Sequence, residues 1–490
     1  MKRYTFLFFL LIMLHSFVHG QIQLGMDIFG EAADDESGES ISMPNSTTIA
    51  IGAIGNSDGG EDAGHVRVYE WDGNDWVQKG ADLDGANAED AFGVSVSMPD
   101  ANTLAVGASG DDTVADVSGL AKVYEWKDGA WVQKGNTLYG MSLIDRFGIR
   151  VNMPDANTLA VTATEGDIEL YGSGRVAIYD WDGTSWVQRG DVIQGERDLE
   201  FLGAALSMPD ANTIALGTAY NDDGGEDSGD IKVYIWNGID WVLKGNKITG
   251  VAADDNFGWS ISMPDPNTVA AGARHNDGNG SDAGHVRIFN WNGTSWDQVG
   301  QDLEGDEVND NFGYSVSMPN SQTVAVGAIQ HDGDNILNSG QVKVFELIGG
   351  EWVLKGVPMN GESLFENFGW SVSMPDANTV GIGGPENAES APDAGHVKVF
   401  QFETVSVVEN SHDAISMFPN PTFENVNFDF GVIVDRAVVV LRDITGKVVQ
   451  RSVFINEEKI SIEIMAPNGL YFAEVIVDDV VKEVFRIVKL

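Results

Sequence analysis

The constraint that dominates this chain is a fixed repeat length. Met-Pro recurs at Met43, Met98, Met153, Met208, Met263, Met318 and Met374, a spacing of 55 residues five times and then 56. A period that constant means one supersecondary unit copied around or along an axis. Ser95–Ala108 shows the unit's first half. Val96 and Met98 alternate with Ser95 and Ser97, Pro99-Asp100-Ala101-Asn102 supplies turn chemistry, and Leu104, Val106 and Ala108 resume the alternation. One such hairpin is marginal alone, so the repeats must cover one another.

Four strands per unit are expected, in the second unit Phe92–Met98, Thr103–Ala108, Ala121–Trp126 and Trp131–Lys134. The third and fourth meet at a hairpin flanked by tryptophans: Trp71 with Trp76, Trp126 with Trp131, Trp181 with Trp186, Trp236 with Trp241, Trp291 with Trp296. Cross-strand stacking that covers the blade is one reading of these pairs, a sugar platform the other. The seventh unit stops after His396–Phe402 without a last strand, whereas Gln21–Ile28 aligns with the last strand of other units. A chain that begins with the strand its last unit lacks reads as a closed ring. The expected fold is all-β: a seven-bladed β-propeller over residues 21–403, closed by an N-terminal strand.

The ends differ from the repeats. Lys2 and Arg3 precede an apolar run from Tyr4 to Leu14, which reads as a signal peptide over 1–20. No later apolar run reaches membrane length, so no transmembrane segment is expected. Residues 404–416 read as a polar linker, and 417–490 as a small Ig-like β-sandwich with alternating strands around Asp443-Ile-Thr-Gly446. The formal net charge of −47 excludes nucleic acid as a natural partner, and the absence of cysteine excludes disulfides.

Two family resemblances follow from these motifs. Phe92-Gly93, Phe147-Gly148, Phe257-Gly258, Phe312-Gly313 and Phe368-Gly369 open units, and Gly52-Ala53, Gly107-Ala108, Gly272-Ala273 and Gly327-Ala328 follow about 14 residues later. This resembles the FG-GAP repeats of integrin α-subunit propellers, and more closely a variety found in exported bacterial proteins. Integrin-type calcium loops lie between strands one and two, where this chain has only Pro-Asp-Ala-Asn, so calcium does not carry over to that position. Phe418-Pro-Asn-Pro421, Val439–Val448, Gly469–Val475 and Phe485–Leu490 resemble the type A C-terminal sorting domain of type IX secretion. That resemblance implies the secretion machinery as a partner of 417–490, export to the cell exterior, and a secreted or surface-attached product.

Candidate chemistry lies where repeats disagree. An acid stands two residues before each Phe-Gly position: Asp35, Asp90, Asp145, Glu200, Asp255, Asp310 and Glu366. Each either caps a turn or ligates an ion. The loops between strands two and three offer Asp58, Asp62, Asp111, Asp112, Asp223, Asp227, Asp277, Asp282, Asp332 and Asp334, which read either as solvated turns or as calcium ligands. His65, His285 and His396 share one repeat position, filled elsewhere by Leu120, Arg175, Asp230 and Gln341, and read as structural. Tyr220, Arg274, His275 and His331 break the pattern and are the expected ligand-binding residues. Trp259, Tyr314 and Trp370 are in phase with Ile261, Val316 and Val372, which favours blade-core packing over a binding platform. No catalytic triad, zinc motif or phosphate loop is present in the sequence. The expected function is a secreted or cell-surface binding module for a glycan or protein, with adhesion as one role; a polysaccharide-degrading enzyme and a structural surface component are the alternatives.

Overall fold

The computed structural model describes residues 19–490 except 166–169, 334–335, 405–414, 444–445 and 478–479. The expected signal peptide therefore lies, through residue 18, outside the described residues, as do most of the linker and Asp334. Contacts divide the chain into Met1–Thr404 and Val405–Leu490.

The first unit is a ring of seven antiparallel sheets. Blade two runs Phe92–Asp100, Thr103–Ala108, Leu120–Lys127 and Ala130–Gln133, with a further two-residue strand, Leu138–Tyr139, on the first residues of the third. The outer edge is thus split, which the sequence reading did not anticipate. The cause is the Lys-Gly step: Lys134 N–H bonds back to Val123 O at 2.7 Å, and Gly135 then takes φ +80°. A side chain at Gly135 would meet the Trp181 ring of the next blade at 2.4 Å.

Blade seven contributes Ser371–Asp376, Thr379–Gly384 and His396–Thr404. His19–Gln23 and Ile28–Phe29 complete it, pairing antiparallel with its third strand in the register Gln21↔Phe402 and Ile28↔Val397. The expected closure by an N-terminal strand is what the ring has.

Cores lie between blades. Phe92, Val96, Met98 and Leu104 of blade two pack against Ala50, Val66 and Val68 of blade one, and equivalent clusters fill the other seams. Ile28, Val397 and Val399 meet Met43, Ile49 and Ile51 across the closing seam. The second strand of every blade is buried at all six positions rather than on alternate ones, because it has a neighbouring blade on both faces. That explains its small residues.

The Phe-Gly and Gly-Ala motifs are the two sides of one contact. A Cβ on Gly107 would lie 1.8 Å from Gly148 O of the next blade, and one on Gly272 2.0 Å from Gly313 O. Ser95 and Ser260 donate to those same carbonyls at 2.8 and 2.7 Å. One turn along, Ser42 Oγ accepts from Met98 N–H, Ser97 from Met153 and Ser373 from Met43, so the Ser-x-Ser-Met pattern hydrogen-bonds each blade to the next around the ring. Blade three departs, carrying Arg150 and Thr162 in place of the seam serine and glycine and Asn152 as acceptor for Met208, and blade four carries Ala205 in place of the seam serine.

The tryptophan hairpins serve the seams as well. Trp126 and Trp131 stack 5.3 Å apart, Trp131 Nε1 donates to Lys79 O of blade one, and the Lys79 ammonium lies over both rings while bonding Ala101 O at 2.7 Å. Lys134 and Lys244 repeat the arrangement. The Pro-Asp-Ala-Asn turn therefore receives a lysine from the preceding blade.

The second unit is one sheet doubled over. Asn425–Arg442 pairs with Ser416–Phe418, Val448–Glu463 and Gly469–Val477, and the last of these with Val480–Lys489. Register breaks between Asp429 and Val434, near Gly431 at φ +70°, where the long strand turns back. Val426 and Phe428 from its first half then share a core with Val439 and Leu441 from its second. The small sandwich forms from a single folded sheet.

Candidate functional site

Strand direction sorts the loops. In each blade the loop between strands two and three and the connection into the next blade's first strand lie on one face of the ring; the two tight hairpins lie on the other. All residues singled out for chemistry fall on the first face.

The acids before each Phe-Gly position are buried. Asp310 Oδ2 accepts from the N–H groups of Asp306 and Glu307 at 2.9 Å each, Asp35 from Glu31 and Ala32, and Glu366 from Glu362 and Ser363. Their second oxygens reach the head of the strand 2–3 loop: Asp35 to Asn56, Glu200 to Asn221, Asp255 to Asn276 and Asp310 to His331 at 3.0 Å. These carboxylates hold two connections together. His331 occupies the position of those asparagines, and the Asp310 bond holds its pKa above the ordinary histidine value.

The loop acids sit separately in their own blades. Asp112, Asp277 and Asp332 each accept a backbone N–H within their own loop, from Val117, Asp282 and Asn338. Asp58 and Asp62 are exposed, and Asp62, Asp227 and Asp282 take positive φ at their turns. Asp111 is buried, binding Thr113 through both oxygens. Asp223 is paired with Arg197 and Lys247, which hold its pKa low. Among the described residues, none of these loops gathers three acid or histidine ligand atoms within 4.8 Å of one another; the group that does is Glu31, His65 and Asp82.

The asymmetric feature of this face is at its centre. Trp259, Tyr314 and Trp370 belong to none of the blade cores. A bulge between the Phe and the Ser of the first strand, at Phe257/Ser260 and Phe312/Ser315, breaks the phase that placed them with Ile261 and Val316. They instead stack from blade to blade, Trp259–Tyr314 at 5.7 Å and Tyr314–Trp370 at 4.8 Å, each ring half-buried. Burial pushes the Tyr314 hydroxyl up, modified by charges on Glu39 of blade one, Arg150 of blade three, Arg274 of blade five and Glu386 of blade seven. A side chain near four such blades lies on the ring axis, so these aromatics hold three of the seven equivalent positions around the central mouth. Val94, Ile149 and Ala204 hold the equivalent positions on blades two to four, and Glu39 on blade one.

Arg274 covers this wall. Its guanidinium carbon is 3.3 Å from the Trp259 ring centroid and 6.0 Å from that of Tyr314, and its Nε is buried without a hydrogen-bond partner. Desolvation lowers its pKa, and Tyr220, stacked on Phe201 at 5.4 Å, lies in its field. The structure thus brings together Tyr220 and Arg274 of the expected ligand residues, with His275 beside Arg274 and its imidazole kept below the usual pKa by burial and that charge. His331 belongs to the acid–loop contact of blade six. Beside Trp370, on blade one, burial pushes the Glu39 carboxyl up to about 7, against Arg150 and a hydrogen bond from Trp370. Glu39 and Arg150 escaped the sequence reading. Their signal was available: Glu39 is the acid among apolar and aromatic residues after the Phe-Gly-type glycine, and Arg150 replaces a seam serine.

Residues 249–289 and 305–345, which build most of blades five and six, match the family model of the FG-GAP repeat. Residues 416–489 match that of the secretion system C-terminal sorting domain. The chain therefore carries FG-GAP repeats within a β-propeller and a C-terminal sorting domain. No curated protein matches it. Among solved structures, the β-propeller domain of the Trilobed protease from Pyrococcus furiosus is similar over 72% of this chain and 91% of its own, at 10% identity and a TM-score of 0.43. The acylaminoacyl peptidase of Pyrococcus horikoshii is similar over 82% of this chain, which spans 57% of that protein, at 8% identity and 0.43. The periplasmic gluconolactonase of Pseudomonas aeruginosa is similar over 82% and 95%, at 14% and 0.41.

Proposed function

We propose that this protein is a secreted or surface-attached binding module, exported by type IX secretion through residues 417–490, whose propeller takes a glycan or protein ligand at its central mouth. The observation that carries the reading is the Trp259–Tyr314–Trp370 stack with Arg274 laid over it. Aromatic faces beside a cation suit stacking on a sugar ring or an aromatic side chain, with the guanidinium hydrogen-bonding an acidic or hydroxyl group. The wall departs from seven-fold symmetry, as recognition of a single ligand requires. Calcium is part of the proposal through the solvent-facing carboxylates of the strand 2–3 loops.

The test is a glycan and protein array probed with the full chain, with and without calcium, comparing the native protein with Arg274→Gln and Trp370→Ala. A ligand retained at native strength by both variants refutes the mouth as the site; loss in both, with unchanged melting temperature, supports it. The hydrolytic reading rests on Glu39, a carboxyl that titrates near neutrality inside the same mouth. Release of reducing sugar that stops in Glu39→Gln would favour it over binding alone.

A further inference from the structure

Three blades place a histidine at the head of the third strand, and the three are treated differently. In blade seven the imidazole has a carboxylate on each side. His396 Nδ1 shares a hydrogen bond with Asp27 at 3.1 Å, and Nε2 stands 2.7 Å from Glu366. Lys398 completes the group, 3.5 Å from Asp27 and 3.1 Å from Glu362.

Blade one repeats these positions with Asp82 for Asp27, Glu31 for Glu362 and His65 for His396, but with Asp35 in place of Glu366. Asp35 is one methylene shorter, and both its oxygens are taken, by the N–H groups of Glu31 and Ala32 and by Asn56. Neither nitrogen of His65 then has a hydrogen-bond partner, although the residue is 0% exposed. A buried imidazole with no partner is costly in a native fold. Yet one ligand atom each from Glu31, His65 and Asp82 lie within 4.8 Å of one another. Arg67, the counterpart of Lys398, spends Nη2 on Phe29 O at 2.8 Å and approaches only Glu31, at 3.5 Å.

We propose that Glu31, His65 and Asp82 form a binding site for one divalent transition-metal ion of the zinc or manganese class. An imidazole nitrogen with two carboxylates is a donor set for such ions, whereas calcium and magnesium sites are built from oxygen. The His65 imidazole is fully buried with neither nitrogen engaged by a protein partner, so a ring nitrogen is free to ligate. Asp35 and Asp58 add negative charge around the group. Glu31 is exposed and His65 buried, so the group runs from the surface inward. Blade five has His285 and Asp302 but Val251 in place of Glu31, leaving one carboxylate too few.

The test is titration of the chelator-stripped full chain with zinc by calorimetry, in excess magnesium to occupy surface acids, and with cobalt by visible absorption. One tight zinc site is expected, with cobalt bands marking a nitrogen-and-oxygen ligand field. Glu31→Gln and Asp82→Asn should each weaken zinc by at least about tenfold, the lower bound set by what loss of a mere supporting contact costs. Glu362→Gln, the matching change in blade seven, should leave it unchanged. Because His65→Gln alters a buried residue, the surface variant Glu31→Gln decides the matter. Zinc affinity and cobalt spectrum unaltered by Glu31→Gln and Asp82→Asn overturn the site, as does absence of tight binding in the native chain.

Discussion

The ring closes through a contact in which a single methyl group should tell. Gly381 and Gly383 lie two residues apart on the second strand of blade seven, against blade one. A Cβ on Gly383 would stand 2.3 Å from Gly38 O and 2.4 Å from Ser371 Oγ, the pair joined by a 2.6 Å hydrogen bond. The backbone carbonyl cannot swing aside. Overpacking of this kind costs about 1–3 kcal/mol, and disruption of the serine bond about 0.5–1.5 kcal/mol more. A Cβ on Gly381 meets the flexible end of Met43 at 2.8 Å, and the equivalent residue is alanine in blades one to six, as at Ala50 and Ala105. Gly381→Ala should therefore be neutral or stabilising by up to about 1 kcal/mol, since it removes freedom from the unfolded chain. A propeller of roughly 390 residues, at about 2.1 cal/mol/K each, has an unfolding entropy of about 0.8 kcal/mol/K, so a loss of about 3 kcal/mol lowers Tm by about 4 °C. Scanning calorimetry of the two variants beside the native chain measures this. Equal melting temperatures for Gly381→Ala and Gly383→Ala would refute the reading of the glycine motif as a carbonyl contact between blades.

The Asp27–His396–Glu366 group makes the same closure pH-dependent. Burial works against all three charges, but their mutual hydrogen bonds outweigh it, holding both carboxyls below and the imidazole above their ordinary values. The carboxylates' contribution is lost as pH falls through their lowered pKa values, and the histidine's as pH rises through a value above 6.5. The Tm difference between the native chain and His396→Gln should peak between about pH 5 and 6.5 and shrink toward pH 9; a difference that grows with rising pH contradicts the charged pairing. Deleting residues 405–490 removes the sorting domain and leaves the propeller's own sheets intact, so cell fractionation should find the truncated protein retained inside the outer membrane. Normal surface display of that truncation would sink the sorting assignment.

The ring was legible because it is written seven times. Spacing, the Met-Pro hairpin and the displaced last strand each report on the repeat, and each has a backbone counterpart in the structure. What the repeat hid was side-chain phase. Trp259 reads as in step with Ile261, but two extra residues per bulge turn it from the core to the axis, and a bulge leaves no mark in an alternating pattern. The same repetition disguised Arg150. Standing where five other blades have a seam serine, it reads as a surface substitution within a strand; in the ring it lies in the field of Glu39 and Tyr314, on blades one and six. The seam between blades three and four lacks the serine hydroxyl as a result. Arg150 and, on blade four, Ala205 give up a contact that their five serine counterparts keep. The two seams that lack it, three–four and four–five, lie next to the aromatic wall that begins on blade five, so the broken seams and the wall belong to one feature, and the ligand is to be sought there before the acidic loops.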